Sequence, residues 1–155
     1  MKKLTLQIDR KCFNTILRGV QSIEHRFIYP SNVKRYVYFK HRGNDYRDQF
    51  LIPDDEEPID IVPVHYDALY LINGRRKNAP RMTIEVESAE YVEFTDKDGN
   101  VLTYQENGQE YVQCQVWYHL GKVLSVENMD VSLTEIDQGN VARPFAKDKE
   151  TGFLE

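Results

Sequence analysis

From Ala68 to Leu124 the chain is a succession of short apolar or alternating stretches separated by turn signals. A chain so punctuated has to fold mainly as short strands. Ala68-Leu69-Tyr70-Leu71-Ile72 is continuously apolar, as a buried strand is. Met82, Ile84 and Val86 alternate with Thr83, Glu85 and Glu87. Val92 and Phe94 resume the alternation after a shift near Ser88-Ala89, which predicts a bulge or bend. Asp98-Gly99-Asn100 and Glu106-Asn107-Gly108-Gln109 are turn signals between strands expected over 101–104 and 111–120, the last extending to Leu124.

The opening differs. Leu4-Thr5-Leu6-Gln7-Ile8 alternates at period two and predicts a half-buried strand. Asp9 can accept hydrogen bonds from the free N–H groups of a helix start, and Phe13, Ile16 and Leu17 follow at helical spacing. Gly19 stands where glycine ends a helix by reaching positive φ without strain. Val20 to Arg26 reads as extended, with Ser22, Glu24 and Arg26 sharing the face opposite Ile23. After Pro30, the aromatic and β-branched stretch Val33–Phe39 predicts a strand. Gly43-Asn44-Asp45 signals a turn, and 53–58 is an acidic, proline-bounded loop inside an insertion of about 43–62. The expectation is an α+β chain: a small mixed β-barrel with one N-terminal helix after the first strand and few other helices. One barrel domain is expected over 1–136, with a polar tail over 137–155.

At 155 residues, 41% of them hydrophobic, the chain has material for one core. No apolar run approaches the roughly 18 residues of a membrane helix, and no membrane role is expected. The first ten residues are too polar for a signal peptide. Cys12 and Cys114 are too few for a disulfide scaffold, so both are expected reduced, in the cytoplasm. The net charge of -5 hides a segregation. Residues 1–50 hold 11 Lys+Arg against 4 Asp+Glu, and residues 51–155 hold 9 against 21. A uniformly acidic surface would repel phosphates, whereas a segregated one can still present a basic face to nucleic acid and an acidic one to a protein partner.

Known short catalytic signatures are absent. His25, His41, His65 and His119 make no ligand-spaced pair with each other, a cysteine or a carboxylate, so no metal and no cofactor is expected. The informative segment is Gly19-Val20-Gln21-Ser22-Ile23-Glu24-His25-Arg26. It sets a carboxylate and a guanidinium two residues apart on one strand face. Such a pair serves either as a surface ion pair or as a recognition edge, where Glu24 accepts from amino groups and Arg26 donates a planar fork to carbonyls or phosphates. Arg75, Arg76, Lys77 and Arg81 flank a turn and can contact phosphates, or simply solvate a loop. Tyr29, Tyr36, Tyr38, Tyr70 and Trp117 are candidates to stack on bases, or to pack on the barrel with their polar atoms at its rim.

The order strand, helix, then G-x-x-x-x-E-x-R resembles the ASCH domain, a branch of the PUA-like superfold. Gly19, Glu24 and Arg26 match that family's G-x-K-x-x-E-x-R pattern, and Gln21 stands at its lysine position. Leu69–Ile72, Thr83–Val86 and Tyr118–Lys122 are similar to its later strands. The resemblance covers roughly 3–125, with 40–65 and the tail as additions. It implies a PUA-like barrel that recognises RNA or a nucleotide in a cleft lined by Gly19, Gln21, Ser22, Glu24 and Arg26, with Arg75, Arg76 and Lys77 as further binding residues. One branch of the family hydrolyses acetylated cytidine with the motif lysine and a threonine at the position of Glu24. Glutamine can neither lower a nucleophile's pKa nor act as a base, so this chemistry is unsupported here. The alternatives are a hydrolase of a modified nucleoside or small amide with Glu24 as acid or base, and a protein-interaction domain.

Overall fold

The computed structural model describes residues 1–129. The polar tail expected over 137–155 lies outside the described residues. In chain order the elements are β1 (Lys3–Gln7), α1 (Arg10–Leu17), β2 (Ile23–Phe27), α2 (Val33–Tyr36), β3 (Val37–His41), β4 (Asn44–Tyr46), a 3-10 turn (Gln49–Leu51), β5 (Asp60–Pro63), β6 (Ala68–Ile72), β7 (Arg81–Glu93), β8 (Thr103–Glu106), β9 (Gln109–Val112) and β10 (Cys114–Glu127). The described chain is therefore mostly strand, with two α-helices, as the α+β expectation has it. The largest sheet, in the order β1-β6-β7-β10-β2, curls as a half-barrel. No helix among the described residues is long and apolar enough to cross a membrane.

The chain forms two compact units, each assembled from separate stretches. The first contains residues 1–24 and 66–88 and the chain from His119 on. Here β1 runs parallel to β6, pairing Lys3 with Ala68 through Gln7 with Ile72. The predicted alternation holds in β1, where Leu4, Leu6 and Ile8 are buried; Leu69, Leu71, Met82 and Ile84 are buried too, but so is Thr83, which the alternation placed on the polar face. Helix α1 starts where Asp9 accepts the Cys12 N–H at 2.7 Å. It buries Phe13, Ile16 and Leu17 and stops at Gly19, whose φ is 76°. The stop is a Schellman motif: Val20 N–H donates to Thr15 O at 2.9 Å and Gly19 N–H to Ile16 O at 3.0 Å.

The second unit contains residues 25–65 and 89–118. Its three-stranded sheet has the order β4-β3-β5, and β8 pairs with β9 as a hairpin. Asn107 and Gly108 turn that hairpin at φ 52° and 78°, as the Asn-Gly signal predicts. Val37, Phe39 and His41 share the buried face of β3.

Two local expectations are corrected. Val33–Tyr36 is a helical turn and only Val37–His41 is strand. The Asn32 side chain accepts the Tyr29 N–H at 2.7 Å and its carbonyl accepts the Arg35 N–H, so the turn after Pro30 overrides the β propensity of Val33 and Tyr36. The 43–62 stretch is no simple loop, because β4, the 3-10 turn and β5 lie within it. The turn into β4 uses Arg42 and Gly43, at φ 52° and 81°, while Asn44 and Asp45 already pair with β3. Cross-strand pairing with β3 makes strands of segments too short and acidic to read as such.

Candidate functional site

The motif segment folds back on the end of α1. Gly19 makes the turn, and the N–H groups of Val20 and Gln21 both donate to Thr15 O. The Thr15 hydroxyl lies 3.0 Å from Cys12 O and 3.0 Å from Gln21 Oε1. Gln21 Nε2 donates to Ile23 O at 2.9 Å and reaches Glu24 Oε1 at 3.4 Å. Gln21 thus accepts from one neighbour and donates to two. An ammonium has no acceptor, so a lysine here could only donate to the Thr15 hydroxyl oxygen. Glu24 is 6% exposed, and Ser22 is exposed with its carbonyl taken by the Leu120 N–H at 2.9 Å. Arg26 is half-buried and belongs to the second unit. Glu24 is therefore a buried carboxyl in contact with Gln21.

Charge divides between the two units in the same sense as along the sequence, but less sharply. The described residues of the first unit hold ten Lys+Arg against six Asp+Glu, net +4. The second holds seven against thirteen, net -6. The basic first third of the chain is thus divided between them.

Five of the ten cations described in the first unit stand on the two segments that leave one end of the β1/β6 pair. Ile8 N–H donates to Ile72 O at 2.9 Å, and Asn73 Nδ2 donates back to Ile8 O at 3.0 Å. The Gln7 amide, turned so that its nitrogen faces acceptors, donates to Ile72 O and Gly74 O. Two chain segments leave this contact: Asp9-Arg10-Lys11 into α1, and Gly74-Arg75-Arg76-Lys77 into the turn before β7. Arg10, Lys11, Arg75, Arg76 and Lys77 are all exposed, and none is ion-paired among the described residues. Asp9, the carboxylate beside them in sequence, is engaged in capping α1. Arg81 is half-buried and donates to Lys77 O at 3.3 Å, so it braces the turn. The basic turn and the motif hydrogen-bond to different residues of the described chain's last stretch. Asn128 donates to Ala79 O whereas Leu120 holds Ser22.

Arg10 and Lys11 were missed by sequence reasoning, because only the parallel register of β1 and β6 makes their segment and 75–77 leave one contact. Of the proposed stacking rings, Tyr36 is buried, Tyr38 and Tyr70 lie under Lys40 and Lys3, and Trp117 packs on His25 at 4.7 Å. Tyr29 remains 43% exposed. It lines a cavity of about 410 Å³ in the second unit with Tyr91, Tyr104 and Tyr111, which the sequence reading had not singled out. Neither cysteine is an activated nucleophile. Burial, then the hydrogen bond and charge of Asp9, raise the Cys12 pKa, and burial raises that of Cys114. No group of three or more His, Cys, Asp or Glu among the described residues could hold a metal ion.

No family model, no curated protein and no solved structure matches the chain.

Proposed function

We propose that this chain is an ASCH-like binding domain on a PUA-like barrel that takes RNA through the basic end of its first unit. The observation that carries the reading is that the segments bearing Arg10 and Lys11 and bearing Arg75, Arg76 and Lys77 both leave the Ile8–Ile72–Asn73 contact, with all five cations exposed and without acidic partners among the described residues. Five such cations suit a phosphate backbone, which supplies most of the sequence-independent affinity for nucleic acid. The Gly19–Arg26 motif supports the family reading. In this reading its part is to hold the end of α1 against β2, through Gln21, and not to perform chemistry. Gln21 at the motif's lysine position, which can neither activate a nucleophile nor act as a base, weighs against the hydrolase alternative. Free Cys12 and Cys114 fit a reducing compartment.

The test is a fluorescence-anisotropy titration of single-stranded RNA across a salt series, with wild type beside Arg75→Gln/Arg76→Gln/Lys77→Gln. Wild type should show log K falling against log salt with a slope of about -3, as four or five phosphate contacts on a single strand require. The triple variant should bind more weakly, with a slope smaller by about 2. Equal affinity and slope in the two proteins would refute the basic end as the site.

A further inference from the structure

We propose that the tyrosine cavity of the second unit is a separate binding site for an uncharged, flat aromatic molecule. Every residue lining it belongs to the second unit, so the site shares no residue with the basic end of the first. The cavity of about 410 Å³ lies within the size range of small-molecule sites. Its inner wall is apolar, since Ile28, Val37 and Phe39 line it and are buried. Three rings line it as well. Tyr29 stands edge-on to Tyr104, with centroids 6.3 Å apart and planes at 80°, and Tyr104 lies 5.8 Å from Tyr111 at 31°. A flat ring entering beside them can set its face against one ring and its edge against another, the two arrangements that aromatic pairs prefer. The outer part offers apolar surface too: Phe50 and Tyr29 line the cavity and stay 63% and 43% exposed. Large apolar side chains left in water beside a cavity are surface that a bound molecule covers.

The charged lining residues disfavour a charged guest of either sign. Lys34 and Arg47 are balanced by Asp48 and Glu110. Lys34, Arg47 and Glu110 are exposed and Asp48 is half-buried, so charge lies outward of the buried apolar wall. A charged group carried to that wall loses its hydration, and the balanced lining holds no net charge to offset the loss. An uncharged ring loses little and gains the wall. Donors and acceptors both stand among the lining residues: Arg47 donates to Lys34 O with one of its guanidinium nitrogens, and Asp48 Oδ1 accepts the Phe50 N–H at 2.9 Å. Such a mixture suits an uncharged substituent that can do both, as a hydroxyl does. The unit's net charge of -6 opposes a nucleic-acid strand here, which separates this site from the basic end.

Three naphthalene derivatives of nearly the same shape test this, in competition with the neutral dye N-phenyl-1-naphthylamine. They are 1-naphthalenemethanol, uncharged; 1-naphthoate, an anion; and 1-naphthalenemethylammonium, a cation. The dye should gain fluorescence with the native protein, and the alcohol should displace it at a concentration at least about tenfold below that of either ion. Tyr104→Leu, which removes a ring but keeps apolar surface, should weaken the dye roughly three- to tenfold, the scale of one aromatic pair. Val112→Trp, which fills the cavity, should weaken it at least as much. A cooperative thermal transition shows that each variant is folded, and the competition series needs the native protein alone. The proposal is overturned if the dye does not respond, if either ion displaces it as well as the alcohol does, or if either variant, folded, binds it as wild type does.

Discussion

Asn73 donates its side-chain amide to the carbonyl of Ile8 at 3.0 Å, so the turn after β6 is stitched to the end of β1. One hydrogen bond between residues 65 positions apart thereby joins the two segments that carry the exposed cations. Asn73→Ala removes it while the backbone bond from Ile8 to Ile72 remains. The expected loss of stability is about 1 kcal/mol by urea unfolding, since the acceptor left behind is part-buried. RNA affinity should fall as well, although no charge has changed. Unaltered affinity would mean that the two segments need not be held together.

Gly19 ends α1 at φ 76°, a region where a side chain is strained. Gly19→Ala should cost about 1 kcal/mol, read as a lowered thermal midpoint, because the Schellman hydrogen bonds require this conformation. A midpoint equal to wild type would show that the stop can be rebuilt another way.

Asp55 accepts hydrogen bonds from Arg42 Nε at 2.9 Å and from the nearly fully buried His41 at 3.1 Å, and so fastens the acidic loop to β3. The Arg42 hydrogen bond, then the Glu57 amide and His41, lower its pKa to about 2 from an ordinary 3.8. A carboxylate depressed in the folded state stabilises fully above its unfolded pKa, and that contribution is lost as pH falls through the folded value. Wild type should therefore lose stability between pH of about 4 and 2, and Asp55→Asn should lose less over the same window. Parallel melting curves for the two proteins would contradict the linkage.

Both thiols should alkylate slowly. Cys12 is half-buried beside Asp9, and Cys114 is buried. With iodoacetamide near pH 8, Cys12 should react more slowly than a peptide cysteine, Cys114 more slowly still, and both at the peptide rate once unfolded. A fast-reacting Cys12 in the folded protein would contradict the burial and the negative surroundings described for it.

What was legible in the sequence was local. Asp9 and Gly19 bound α1 because a cap and a left-handed stop are decided within a few residues. The Asn107-Gly108 turn is legible for the same reason. Val33–Tyr36 misled because aromatic and β-branched side chains carry a strand signal, whereas the Asn32 bonds to Tyr29 and Arg35 decide the helical turn. β4 and β5 were hidden because acidic residues can face solvent from a strand as easily as from a loop. The site was legible only in part. Arg75, Arg76 and Lys77 stand together in the chain, but Arg10 and Lys11 join them through a parallel register that no local pattern reveals. The tyrosine cavity draws on three distant segments for the same reason, and Tyr29 alone among its rings stood out beforehand.

The most direct test of the basic end is a ¹⁵N-labelled titration with a short single-stranded RNA, followed amide by amide. The expected result is a contiguous set of perturbed amides at residues 8–11 and 73–79 that fades as salt is raised. Perturbations absent from those residues, and confined to the tyrosine cavity or to 22–26, would contradict it.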